Sequence, residues 1–430
     1  ANLGGASGSV TLTNATLKYL SSFDWAPTRT LVTSNGTLDL NGATTTIGGT
    51  ISGINGLAIQ GPGQATFTGP NTYTGGTSIS GGGTLAIAGD AALGNSGGGV
   101  TFDNGALKFL NSFDLSNTCA VTLNAGGGTI DTNGYDTSLT QQITGGGRLT
   151  KSGSGTLTLT AASTYTGGTV VNGGTLSIAN TNALGAANSA LTLDGGTLRV
   201  TQEVSWTRPI TLGAGNGTFE VDVGASLYAF GAISGSGVLI KAGSGRLIVI
   251  GANSYAGGTV IQAGELYTNA ASLRGPVVTN GDLYFTQSAD GTFAGAISGT
   301  GRVLTDYVGM LTLTGTNTYQ GGTRIGGGGD LGGGGIAVSS DANLGAATGG
   351  VELGIGGRLK FLSSFDLAAT RAVTLGLGRG TIDTNGFNTT ISQVITGLGQ
   401  LDKAGAGMLT LTGSNTFGGA VSISGGILAI

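Results

Sequence analysis

Residues Leu157-Thr158-Leu159-Thr160-Ala161-Ala162-Ser163-Thr164-Tyr165-Thr166-Gly167-Gly168-Thr169-Val170-Val171-Asn172-Gly173-Gly174-Thr175-Leu176-Ser177-Ile178 read as an alternating strand, a Ser-Thr-Tyr corner closed by two glycines, a strand, a Gly-Gly corner and a strand. The stretch recurs. Its corner returns as Asn71-Thr72-Tyr73-Thr74-Gly75-Gly76, Asn253-Ser254-Tyr255-Ala256-Gly257-Gly258, Asn317-Thr318-Tyr319-Gln320-Gly321-Gly322 and Asn415-Thr416-Phe417-Gly418-Gly419. From Tyr73 to Phe417 the aromatic advances by 92, 90, 64 and 98 residues. A recurring unit in a strand-rich chain predicts a solenoid, here of five homologous repeats covering approximately 1–91, 92–182, 183–271, 272–341 and 342–430.

The repeats align piece by piece. Ala1-Asn2-Leu3-Gly4 opens in phase with Ala92-Leu93-Gly94, Ala183-Leu184-Gly185 and Asn343-Leu344-Gly345, and Ser272-Leu273-Arg274-Gly275 is a degenerate copy. A glycine-free piece follows: Leu17 to Trp25, Leu107 to Leu115 and Leu359 to Leu367. Leu107, Leu110 and Phe113 have helix-like spacing, yet the polar pair in the middle is turn chemistry and the third copy, Arg199 to Trp206, is rich in strand formers. Strand is the favoured reading. Thr28-Arg29-Thr30-Leu31 then corresponds to Thr370-Arg371-Ala372-Val373, and Cys119 takes the arginine's place in the second copy, which argues against a catalytic arginine.

Next come Gly36-Thr37-Leu38-Asp39-Leu40-Asn41-Gly42, Gly128 to Gly134 and Gly380 to Gly386, each ending in Asn-Gly, a turn signal tolerant of positive φ. The fourth copy lacks this piece and is shorter by one rung. Before the Tyr corner stand Ile143 to Gly155, Ile233 to Gly245 and Ile395 to Gly407, short strands between glycine corners. Each unit therefore divides into four or five coils of about 20 residues, and parallel stacking at ~4.8 Å gives about 20 coils roughly 95 Å long. The expected fold is all-β, a right-handed parallel β-helix, with the hand set by strand twist.

The string Gly-x-Leu-x-Leu-Thr-Gly-x-Asn-Thr-Tyr-x-Gly-Gly-Thr-x-Ile, with Ala-Leu-Gly following, resembles the passenger-associated β-strand repeat of bacterial autotransporters. It stands most fully at Gly155 to Gly185 and Met310 to Thr323. With the intervening rungs the resemblance covers the whole chain. It implies a secreted or cell-surface β-helix from a Gram-negative-type envelope, outer-membrane-attached in the full-length protein, where such repeats form passenger stalks and assist export.

Composition narrows the function. The 430 residues include 89 glycines and 5 prolines without an every-third pattern, which excludes collagen. Charged residues make up 9 % and the net charge is −4, so no nucleic-acid partner is expected. Cys119 is the sole cysteine, leaving no intrachain disulfide. No run of about 18 apolar residues occurs and Ala1 opens no charged-then-apolar leader, so neither a membrane span nor a signal peptide is expected in this chain.

With no histidine, Ser/His and Cys/His catalysis and His-ligated metals drop out. Asp39, Asp131 and Asp383 recur in phase but lie several coils apart, too far to share a cation, and read as turn-capping groups. Gly326-Gly327-Gly328-Gly329-Asp330-Leu331 is similar to a calcium-binding β-roll nonapeptide, but Ile325 stands where that motif needs glycine. No lysine follows a glycine, so no phosphate-cradling loop is present. Tyr73, Tyr165, Tyr255 and Tyr319 are either exposed glycan platforms or aromatics packed at a corner, with packing favoured.

No catalytic, cofactor or metal residue is assigned, and the expected function is a non-enzymatic surface stalk or adhesin. A self-assembling filament or layer protein and a β-helical polysaccharide-degrading enzyme are the alternatives. Ile430 falls at the position of Val338 and Ala1 matches Ala342, so a bare coil is expected at each end, with self-association through the ends and a host-surface or glycan ligand as expected partners.

Overall fold

The computed structural model describes Leu3 and residues 5–327 and 333–430. Among them the chain is all-β, with short parallel strands making about 20 turns of a β-solenoid. The three helical segments, Asp90–Leu93, Ser96–Gly98 and Asp341–Leu344, are single 3₁₀ turns. Two compact units divide the chain, Ala1–Thr218 and Phe219–Ile430.

In the first unit, strand Thr156–Leu159 stacks in parallel between Thr137–Leu139 and Thr175–Ile178. The register places Leu139, Leu159, Ile178 and Val200 in one column, all buried, while Ser138, Thr158 and Arg199 occupy the alternate face. The second unit repeats the device with Leu227, Leu247, Leu266, Leu283 and Val303, each fully buried. A side-chain period of two makes every second residue face the core, and each such aliphatic is worth about 1.5–3 kcal/mol of burial. A coil alone has no partner for that face, so the next coil in sequence supplies it.

The glycine-free pieces are only half strand. Gly105–Phe109 and Arg358–Phe361 are strands, but the residues after Phe109 and Phe361 leave the ladder. Neither a helix nor one continuous strand forms, because Asn111-Ser112 and Ser363-Ser364 turn the chain and fold Phe113 and Phe365 back on the preceding aromatics. Ring centroids lie 4.8 Å apart in both pairs. The Asn-Gly turns behave as expected from their sequence: Asn41, Asn133 and Asn385 have φ of 47°, 49° and 52°, and Gly42, Gly134 and Gly386 follow at 86°, 92° and 90°.

Candidate functional site

The Tyr corner is a buried hydrogen-bonded joint. Tyr73, Tyr165, Tyr255 and Tyr319 are at most 2 % exposed. Each hydroxyl meets the threonine four residues on, at 2.6 Å to Thr77, 2.7 Å to Thr169, 2.8 Å to Thr259 and 2.6 Å to Thr323. Burial pushes all four phenols above their ordinary range. The residue two places earlier bridges coils: Asn71 Oδ1 accepts from Ile51 N–H at 2.7 Å while its Nδ2 donates to the Ala92 carbonyl at 2.6 Å. Asn253 and Asn317 do the same, and Ser163 Oγ accepts from Ile143 N–H. These tyrosines are packing groups and present no face to a glycan.

The Ala-Leu-Gly motif completes the joint. At Gly185, φ is +76° and a Cβ would lie 2.4 Å from the Tyr165 carbonyl oxygen and 3.0 Å from its ring. Only glycine fits over the tyrosine there. Arg274 replaces that glycine in the degenerate fourth copy and donates from Nε to the Asn253 carbonyl at 2.7 Å.

Three lysines are fully buried, each ammonium held by three backbone carbonyls. Lys151 Nζ donates to Ser152, Gly153 and Gly173 at 2.9, 2.8 and 3.1 Å. Lys241 donates to Ala242, Gly243 and Ala263, and Lys403 to Ala404, Gly405 and Gly425. Each lysine thus ties the corner of its own coil to the corner of the following one. Burial pulls Lys151 and Lys241 down to about 8, with Asp131 and Asp136 opposing the shift at Lys151, and Glu265 and Glu220 opposing it at Lys241. Lys403 is lowered for the same reason.

Arginine performs a second version of this role. Arg208 Nη1 donates to the carbonyls of Leu184 and Ser189 at 2.9 and 3.1 Å. Arg371, fully buried, donates to Leu344, Gly349 and Gly345 and pairs with Asp341 at 2.7 Å. Burial raises the Asp341 carboxyl, but the hydrogen bonds from Arg371 and Ala368 N–H and the Arg371 charge outweigh it and hold the group below its usual range. Arg29 donates to the carbonyls of Leu3 and Gly8. The arginine is structural, consistent with its exchange for Cys119, whose thiol burial pushes up to about 11.

Two of the three recurring aspartates, Asp131 and Asp383, cap turns. Asp131 Oδ1 accepts from Asn133 N–H and Asp383 Oδ1 from Asn385 N–H, both at 2.9 Å, while Asp39 pairs with Lys18 at 3.4 Å. Asp383 is buried and also accepts from Arg358 Nε at 3.1 Å. Among the described residues no group of three or more His, Cys, Asp or Glu side chains is arranged to hold a metal ion. Residues Gly328 to Leu331 of the nonapeptide-like stretch, and Ala1, Asn2 and Gly4 of the first Leu-Gly motif, lie outside the described residues.

Sequence reasoning passed over the lysines and Arg208. The lysines' signal was a single cation recurring at a core-facing phase, with Ile59 and Thr305 in the same place in the first and fourth repeats, and that of Arg208 was its phase with Arg29 and Arg371. It also passed over the aromatic side chains that do reach the surface, since Tyr228, Tyr267 and Tyr284 belong to no repeated motif.

The passenger-associated-transport-repeat family matches the chain five times, at residues 60–87, 149–178, 239–267, 308–329 and 401–430. The "Adhesin BmaC autotransporter" of Brucella suis biovar 1 (strain 1330) is 40 % identical over 163 residues, 37 % of this chain. The aligned part is only 5 % of that relative's length. No solved structure matches. Four of the five matches contain a Tyr corner, at Tyr73, Tyr165, Tyr255 and Tyr319, and the fifth contains Phe417 in its place.

Proposed function

We propose that this chain, which carries five passenger-associated-transport repeats, is a β-helical segment of an autotransporter passenger that presents an adhesive surface outside the cell. The observation that carries the reading is where the reactive side chains point. Lys151, Lys241, Lys403, Arg208 and Arg371 are turned inward and engaged by backbone carbonyls of adjacent coils, which serves rigidity and withdraws these cations from surface chemistry. The segment is therefore non-enzymatic in this reading, a secreted or surface stalk attached to the outer membrane through the rest of the passenger protein. The adhesin relative supports the adhesive role.

The test is display. The 430 residues are placed between a signal peptide and an unrelated outer-membrane barrel in a non-adherent Gram-negative host. Added protease should remove the chain from intact cells, and the cells should adhere to cultured epithelium above a barrel-only control. A chain retained inside the cell, or one displayed without any gain in adherence, would overturn the proposal.

A further inference from the structure

One outward column in the second unit departs from the Thr and Ser that cover most of the surface. In register, coil by coil, it runs Tyr228, Ile248, Tyr267, Tyr284, Leu304, Arg324. The rings of Tyr267 and Tyr284 stack with centroids 4.3 Å apart and planes within 4°. The Arg246 guanidinium covers Tyr267 at 4.5 Å, so the stack is closed on that side. On the other side it is open: Leu304 is too short to continue it and forms a buried floor, and the next flat group in the column is Arg324.

The result is a slot of about 190 Å³ lined by Tyr267, Tyr284, Leu304, Asp306, Arg324 and Gly326. Tyr284 and Arg324 are two coils apart, roughly 10 Å at strand-stacking distance, which is room for one ring between two flat walls. Arg324 Nε is buried without a hydrogen bond, Glu352 standing 3.9 Å away. A second cavity of about 260 Å³ shares Arg324 as a wall and is lined also by Arg302, Thr323, Glu352 and Thr374.

We propose that this slot is a subsite for one neutral pyranose of an oligosaccharide, with the second cavity taking the adjoining sugar. The C–H face of a pyranose matches the free face of Tyr284, and its hydroxyls both donate, to Asp306, and accept, from Arg324. The electrostatics select a neutral ligand. Arg246 pairs with Glu265 at 3.1 Å, Arg302 with Asp282 and Arg324 with Glu352, and Asp306 adds a further carboxylate, so the patch has no excess positive charge to hold a polyanion. A phenylalanine side chain would bring no hydroxyl, and a tyrosine only one, where the slot offers both an acceptor in Asp306 and a donor in Arg324.

This inference rests on the adhesive reading and names its ligand class, but its test is independent of display. The purified 430-residue chain is titrated with maltohexaose, cellohexaose and lacto-N-tetraose, and with heparin as the anionic probe, following tyrosine fluorescence. At least one neutral probe should bind, Tyr284→Ala should weaken it about tenfold or more, and Arg324→Ala should weaken it too. Leu304→Tyr places a ring in the slot, so it should abolish binding while far-UV circular dichroism keeps the strand signature of the parent. The proposal is overturned if no neutral probe binds, if heparin alone binds, or if Leu304→Tyr binds as well as the parent. Cells that adhere although the purified chain binds no sugar would sink the slot and spare the adhesin. Sugar binding without adherence would do the reverse.

Discussion

The Tyr165 hydroxyl and Thr169 Oγ1 lie 2.7 Å apart in a fully buried corner, and the fifth repeat replaces both members together, with Phe417 and Val421 at the matching positions. Removing one hydroxyl strands the other, whereas removing both leaves an apolar contact. Tyr165→Phe and Thr169→Val should each cost about 1–2 kcal/mol, and the double variant clearly less than their sum, as read from urea titrations. Additive losses would mean that the two hydroxyls do not depend on each other.

Gly185→Ala should destabilise by about 2 kcal/mol or more, because the new methyl meets the Tyr165 carbonyl at 2.4 Å and the backbone is left-handed at +76°. Gly173→Ala is the control. Nothing lies closer than 3.7 Å to its Cβ and its φ is ordinary, so its change should stay within about 0.5 kcal/mol. Equal losses in the same titration would remove the special status of the Leu-Gly motif.

Alkaline pH should first strengthen the fold and then weaken it. Lys151 and Lys241 titrate at about 8 in the native state against 10.5 for the free group, so between those values the unfolded chain binds more protons and stability rises with pH. From pH 8 to 10 the gain should be about 1–2 kcal/mol per lysine. Above pH 10 the buried tyrosines, raised in the fold, reverse the slope because the unfolded chain loses their protons first. Thermal melts at pH 8, 9 and 10 test this, and a Lys151→Met, Lys241→Met double variant should flatten the rise.

Chelation should change nothing. The carboxylates of Asp131 and Asp383 are already taken by backbone N–H groups two residues on, so EDTA should leave the melting temperature where it was. A drop on chelation that calcium restores would reveal a cation site.

The architecture was legible because period, glycine corners and Asn-Gly turns are local signals. Gly168 illustrates this: the paired glycines mark the corner in the sequence, its φ is +83°, and a Cβ on the neighbouring Gly167 would lie 2.3 Å from the Gly147 carbonyl carbon. The aspartate turns and the packed tyrosines followed from the same logic. The cages around Lys151 and Arg208 did not, because their acceptors are carbonyls of another coil, and a carbonyl carries no residue identity to read. The Tyr267–Tyr284 stack was hidden for a related reason: 17 residues separate the partners, and only the coil register brings their rings together.

That register sets how far along the chain each coil must look for its partner. Strand residues pair with others about 20 positions away, from Leu139 with Leu159 to Leu266 with Leu283, in a polypeptide of 430 residues. Relative contact order is therefore very low for so long a β protein, and the slow search that usually penalises sheets is shortened to the loop closure of one coil. A chain that emerges end first finds the surface it needs as soon as the next ~20 residues arrive, so growth can proceed by accretion, with each carbonyl-bound cation locking the coil just laid down.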